Sequence, residues 1–248
     1  MTAPPCFFVD DTGRTIPALT AAEMREVDRI AVTETGPSLF QMMENAGRNL
    51  ALTAIDMLGP SWRRKPITVL AGTGGNGGGG ITAARHLKNH GATVTVVVTS
   101  VERLSGVPAD QLVIYRHAGG SVTDDPPSGT ELIVDAIIGY SLSGAPHGRS
   151  LDLIEWTNTA PAAVLSLDVP SGVDATSGTA PGAAINADTT ITLALPKTGL
   201  CTPRAGSLIL GDIGIPEHTY QRLGTTIAGP IFDGRYRLPL TRVAHPSS

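Results

Sequence analysis

Short runs of Val, Ile, Leu and Thr alternate along this chain with stretches of helical periodicity, and that alternation constrains the fold more than any other feature. Residues 67–70, 93–98, 132–134, 163–167 and 189–195 read as strands, several of them apolar along their whole length rather than on one face. Between them 80–90, 108–117 and 149–157 read as helices, the second with Pro108 in its first turn. A strand with no polar face must be covered on both sides, so the pattern predicts an α/β fold with a parallel sheet between two layers of helix. Aromatic residues make up only 4%, so the core must be built from Ala, Val, Leu and Ile.

Two helices are expected upstream. Thr20 with Glu23 three residues on has the form of a capping box, and Met24, Val27, Ile30 and Ala31 follow at helical spacing. Gly36-Pro37 ends that helix. Ser38 opens a second, running through Leu39, Met42, Met43, Ala46, Leu50 and Ala54 to a stop near Gly59-Pro60. With no internal repeat and no dividing linker, residues 1–248 read as one domain, with 1–17 and 240–248 as loose arms.

Composition excludes several classes of function. A chain 41% hydrophobic and 16% charged buries a sizeable core and is not disordered. A net charge of −4 without a dense Lys/Arg cluster argues against nucleic acid as a partner. No run approaches the roughly 20 apolar residues of a membrane span, and the first residues lack a signal segment. Cys6 and Cys201 are too few for a disulfide framework or a zinc site, so a reducing, cytoplasmic setting is expected.

The strongest chemical signal is Gly72-Thr73-Gly74-Gly75-Asn76-Gly77-Gly78-Gly79-Gly80, between an expected strand and an expected helix. Glycines let a ligand approach the backbone, and a helix N-terminus offers free N–H groups and the positive end of its dipole, so an anion or phosphate site is expected. The loop lacks the Gly-Lys-Ser/Thr ending of a triphosphatase, and no acidic residue closes the next strand as a ribose-binding group would. Asp135 and Asp168 stand at the ends of two expected strands, where ligands of open α/β sheets bind; each is a candidate for cation binding or proton transfer, or for capping its turn. Val169-Pro170-Ser171-Gly172 presents Ser171 in a tight turn, and such oxygen-rich loops suit hard cations. The six histidines show no metal spacing; His147 alone sits in a loop that follows Asp135. Asn45, on a mostly apolar helix, is either a packing residue or a ligand-facing one.

Together these stretches resemble the NAD(P)H-hydrate epimerase family, also called the YjeF N-terminal domain family. The resemblance rests on 19–25, Met43-Glu44-Asn45-Ala46-Gly47, the glycine loop, 134–139, 168–174, 195–200 and 212–216, in order. It implies a Rossmann-like three-layer α/β/α sandwich, commonly a homodimer, that interconverts the R and S forms of hydrated NADH and NADPH with a bound potassium ion. By position, Asn76, Asp135 and Ser171 would be potassium ligands; Asp168 and the loop Gly139, Tyr140, Ser141, Leu142, Ser143, Gly144 and Ala145 would contact substrate, as would Gly75, Asn76, Gly77, Gly78 and Gly79. Asp168 is the expected acid/base. The family's partner activity, a dehydratase often carried as a second domain, has no room in 248 residues. The family's loop normally reads Asn-Asn-Gly-Gly-Asp-Gly; here Gly75 replaces the first Asn and Gly79 the Asp. At about 1.5–3 kcal/mol for a charged hydrogen bond, affinity for the usual substrate would fall by an order of magnitude or more. Two other functions compete: a different acid/base isomerisation or water loss on another substrate, and a non-catalytic binding module.

Overall fold

The structure, a computed structural model, describes residues 6–227 and 229–244. The chain opens with β1 (Cys6–Asp10) and the short β2 (Thr15–Ile16), then α1 (Ala21–Ile30) and α2 (Leu39–Leu58). Both helices start as their sequences dictate. Thr20 and Glu23 form a reciprocal capping box, and Ser38 forms another with Gln41. Gly36-Pro37 separates the two helices, and a 3₁₀ turn from Gly59 follows the second.

The alternating region runs β3 (Ile67–Ala71), α3 (Gly75–Asn89), β4 (Val94–Val98), α4 (Gly106–His117), β5 (Ser121–Thr123), β6 (Leu132–Ala136), α5 (Gly148–Thr159), β7 (Ala163–Leu167) and β8 (Thr189–Leu193). After these come β9 (Ser207–Gly211), α6 (Glu217–Arg222) and β10 (Arg237–Ala244). All strands join one sheet in the order β2-β1-β10-β9-β8-β7-β6-β3-β4-β5. β3 through β9 are mutually parallel, and β10, β1 and β2 extend the β9 edge antiparallel.

The strands are apolar on both faces because both faces are covered. Val69, Val96, Val134 and Leu165 pack under α2, α3 and α4 with Leu50, Ile81 and Leu112. Their neighbours Leu70, Val97, Ile133 and Val164 pack on the other face with Leu153 and Ile154 of α5. A third cluster joins α1 to the antiparallel extension through Phe8, Met24, Val27, Leu210 and Leu238. The three-layer α/β/α expectation holds.

Three expectations are corrected. The first helix of the alternating region begins at Gly75 rather than 80, so most of the glycine loop is helix. The arms are not loose where they are described: Cys6–Asp10 pairs with 240–244 in register from Cys6↔Ala244 to Asp10↔Leu240. Each segment is short and its partner lies over 200 residues away, so nothing local reveals the pairing; Phe8 is nevertheless fully buried by it. Residues 1–5 and 245–248 lie outside the described residues. Finally, Cys6 and Cys201, read as too few for a disulfide framework and placed in a reducing setting, form a disulfide with Cα atoms 5.8 Å apart, linking β1 to the segment after β8.

Candidate active site

The strand order reverses direction between β3 and β6, because the chain proceeds outward from β3 through β4 and β5 and then returns to β6 on the other side. Ligand clefts of open α/β sheets form at such a switch point, beyond the carboxyl ends of the strands. A cavity of about 180 Å³ lies there. Its walls come from the segments after β3 (Gly75, Asn76, Gly79), β6 (Gly139, Tyr140, Ser141), β7 (Asp168) and β8 (Leu193, Lys197). Asp28 of α1 and the methionines Met24, Met42 and Met43 close it.

The glycines of α3 do two different things. A Cβ on Gly77 would lie 1.9 Å from the Gly72 carbonyl oxygen, one on Gly78 would lie 2.5 Å from the Met43 sulfur, and one on Gly80 would lie 2.5 Å from the Ala136 methyl. These positions are glycine so that the helix can lie on β3, β6 and α2. Gly75, by contrast, faces open space. Gly79 lines the cavity, and a Cβ there would meet the end of the Leu167 side chain at 2.9 Å. The first-turn N–H groups of α3 have no intrahelical partner, and its N-cap, Gly74, has no side chain to serve them. The Asn76 Nδ2 is buried and finds no partner among the described residues.

Asp168 is placed by strained backbone. Its φ is +70°, in the left-handed region rarely used outside glycine, and Ala194, just past β8, has φ +63°. Its N–H donates to the Ile191 carbonyl at 2.7 Å, which fixes the turn. The Lys197 ammonium donates to Asp168 Oδ1 and, at 2.8 Å, to the Leu193 carbonyl. The N–H groups of Tyr140 and Leu193 each donate to the same carboxylate at 3.3 Å. Lys197 is 1% exposed and Asp168 4%, so this is a buried ion pair with its hydrogen bonds supplied. On α1, Asp28 accepts the Tyr140 hydroxyl proton. Burial pushes the Asp28 carboxyl up, and the Tyr140 hydrogen bond and the Lys197 charge only partly oppose it. Burial likewise pushes the Tyr140 phenol up, reinforced by the Asp28 and Asp168 carboxylates.

Asp135 and Ser171 are brought together, but behind the cavity wall. Asp135 is fully buried and accepts from the Ser166 hydroxyl at 2.7 Å, the Ser171 N–H at 2.9 Å, the Ile137 N–H at 3.2 Å and the Ser171 hydroxyl. Burial pushes its carboxyl up against these donors. The Ser171 Oγ also accepts the Ile138 N–H at 2.8 Å and lies 3.2 Å from the Ile138 carbonyl. The group therefore ties the turn after β7 to the segment after β6. The carboxylate, hydroxyl and main-chain carbonyl are all oxygen donors of the kind a hard cation takes, but each Asp135 oxygen already accepts two hydrogen bonds, so it would ligate an ion only by releasing some of them. No cluster of three His, Cys, Asp or Glu suited to a metal exists among the described residues.

Of the other sequence candidates, Leu142, Ser143, Gly144 and Ala145 do not line the cavity; all but the half-buried Leu142 are exposed. His147 is exposed at the N-cap of α5. Asn45 is a packing residue: its Nδ2 donates to the Ile213 carbonyl at 3.2 Å. Sequence reading assigned no role to Asp28 or Lys197. Lys197 carried a signal, as a lone cation directly after an apolar strand; Asp28 looked like one more charge on an amphipathic helix.

Comparison with known proteins agrees with this architecture. Residues 39–199 match the family described as YjeF-related protein N-terminus. An NAD(P)H-hydrate epimerase of Dehalogenimonas lykanthroporepellens is 49% identical over 94% of this chain and 97% of its own length. One of Truepera radiovictrix is 37% identical over 83% and 94%. A bifunctional NAD(P)H-hydrate repair enzyme of Salinibacter ruber is 35% identical over 83% of this chain, which spans 42% of that longer protein. A solved yeast structure, ynu0, superposes with a TM-score of 0.78 at 23% identity, over 90% of this chain and 100% of its own; it shares the fold.

Proposed function

The chain belongs to the YjeF-related N-terminal family, and from that premise we propose that it is an epimerase interconverting the R and S forms of hydrated NADH and NADPH. The observation that carries this reading is Asp168, held by Lys197 on backbone of positive φ in a partly open cavity with apolar walls suited to a ring. Such a cavity takes the hydrated nicotinamide, while the unpaired N–H groups at the start of α3 face the phosphates. Gly75 leaves that mouth open, and the backbone donors remain without the family's amide and carboxylate.

The chemistry required is small. The C6 hydroxyl of the substrate stands next to the ring nitrogen, whose lone pair can expel it as water once it is protonated. The resulting iminium is planar, and water returning to the other face inverts the centre. Asp168 is the acid/base for this exchange, and Lys197 orients its carboxylate.

Asp135, Ser171, the Ile138 carbonyl and the Asn76 side-chain oxygen are the groups that would hold the potassium ion, the Asp135 carboxylate giving up some of its present hydrogen bonds to do so. Bound there, the ion would supply positive charge against the substrate phosphates. Val32, Leu39 and Phe40 are exposed apolar side chains that a homodimer would cover. No helix among the described residues is long and apolar enough to cross a membrane.

The test uses the R form of hydrated NADH in potassium buffer, with conversion to the S form followed by chromatography. Wild-type protein is expected to convert it well above the spontaneous rate. Asp168→Asn should lose turnover by about two to four orders of magnitude, as expected for general acid/base catalysis, while retaining ligand binding. Unchanged turnover in Asp168→Asn would remove that residue from the role.

A further inference from the structure

Inversion by loss and return of water needs proton transfer on both faces of the ring. One group must protonate the departing hydroxyl, and another must deprotonate the water that arrives opposite. Asp168 lines the cavity from the end of β7, so a second proton-handling group must come from another element. Asp28 is the other carboxylate lining it, and it comes from α1, a separate element.

Tyr140 joins the two carboxylates. Its main-chain N–H donates to Asp168 Oδ2 and its phenol donates to Asp28 Oδ2, so the length of a tyrosine side chain lies between them. Their environments differ. Asp168 carries the Lys197 ammonium on Oδ1, whereas Asp28 has a neutral phenol as its hydrogen-bond partner. Two carboxylates lining one cavity, one ion-paired to a lysine and one hydrogen-bonded to a phenol, are the pattern by which acid and base roles divide. We propose that Asp28, oriented by Tyr140, is the second catalytic carboxyl, and that it acts on the ring face opposite Asp168.

The step balances. The Asp28 carboxylic acid gives its proton to the C6 hydroxyl, the C6–O bond breaks with its electron pair leaving as water, and the N1 lone pair forms the C6=N1 bond. Water then adds to C6 from the Asp168 side, the C6=N1 electrons return to nitrogen, and Asp168 accepts the proton. Exchange with solvent after product release restores both carboxyls, and the reverse reaction exchanges their roles. The burial that pushes Asp28 up favours its acid form.

The charged and titratable groups facing Asp28 are Tyr140, Lys197 and Asp168 across the cavity and Tyr220 on α6, with Arg25 acting on Tyr140 from α1. The Tyr140 hydrogen bond stabilises the Asp28 anion. Removing it therefore moves the Asp28 ionisation to higher pH.

The inference rests on the epimerase reading, and its test separates the two. Turnover of R-hydrated NADH is measured against pH for wild type, Asp28→Asn and Tyr140→Phe, with thermal melts to confirm folding. Asp28→Asn is expected to lose at least a hundredfold in kcat with little change in KM, and to lose the basic limb of the profile. Tyr140→Phe should keep measurable turnover with that limb displaced to higher pH, a change that mere loss of packing would not produce. Wild-type activity with an unaltered profile in both variants overturns the role of Asp28 and leaves the epimerase reading intact. No wild-type turnover overturns both.

Discussion

Asp168 was legible in the sequence because it directly follows an apolar run, and strand ends in parallel sheets face the ligand cleft. Lys197 was not, because its role depends on reaching a carboxylate 29 residues away through the turn after β8. The resemblance grouped Asn76, Asp135 and Ser171 as potassium ligands, and the structure puts Asp135 and Ser171 in contact. Their hydrogen bonds tie two loops together whatever ion they hold. The Lys197–Asp168 pair makes a firm prediction. Removing one partner of a buried, hydrogen-bonded ion pair leaves the other charge uncompensated, at a cost of about 3–5 kcal/mol. Lys197→Met should therefore lower the urea midpoint by that equivalent, and also abolish turnover because Asp168 loses its orientation. A loss below about 1 kcal/mol would mean that the pair contributes little to holding the site closed.

The elements that could be read were those whose signals are local. The capping boxes at Thr20 and Ser38, the Gly36-Pro37 break and the five buried parallel strands all lie within a few residues of the sequence that encodes them. The start of α3 was misplaced for a physical reason. Glycine costs about 1 kcal/mol per residue in a helix, so a run of glycines argues for a loop. Here close packing on the sheet overrides propensity, since Gly77, Gly78 and Gly80 have no space for a methyl group. Gly77→Ala should accordingly lower stability by about 3 kcal/mol or more, because the obstruction is backbone and cannot move aside. Gly75→Ala, on the open side of the same turn, should be neutral or stabilising by up to about 1 kcal/mol. Equal effects in thermal melts would contradict this division of the glycines into packing and mouth positions.

Across the whole molecule, the part hidden from the sequence is the part assembled from its two ends. β1 and β10 pair across the whole intervening chain, and the Cys6–Cys201 disulfide fastens that extension to the segment that follows Lys197. A bridge closing so long a loop is expected to contribute about 2–5 kcal/mol by constraining the unfolded chain. A dithiol reductant should lower the melting temperature of the wild type and leave Cys6→Ser unaffected; no change in the wild type would show that the thiols are already reduced, as a cytoplasmic protein would keep them. The antiparallel extension and α1 together carry Asp28 to the cavity that the parallel strands build, so the site is a product of the entire sheet rather than of its glycine loop alone. Inversion of the hydrated carbon of the nicotinamide ring in this cavity is tested by starting from pure R and pure S forms of hydrated NADH in separate reactions at catalytic enzyme concentrations. Both should converge on the same R:S ratio, at initial rates proportional to enzyme and lost in Asp168→Asn. Convergence no faster than in buffer would contradict the account.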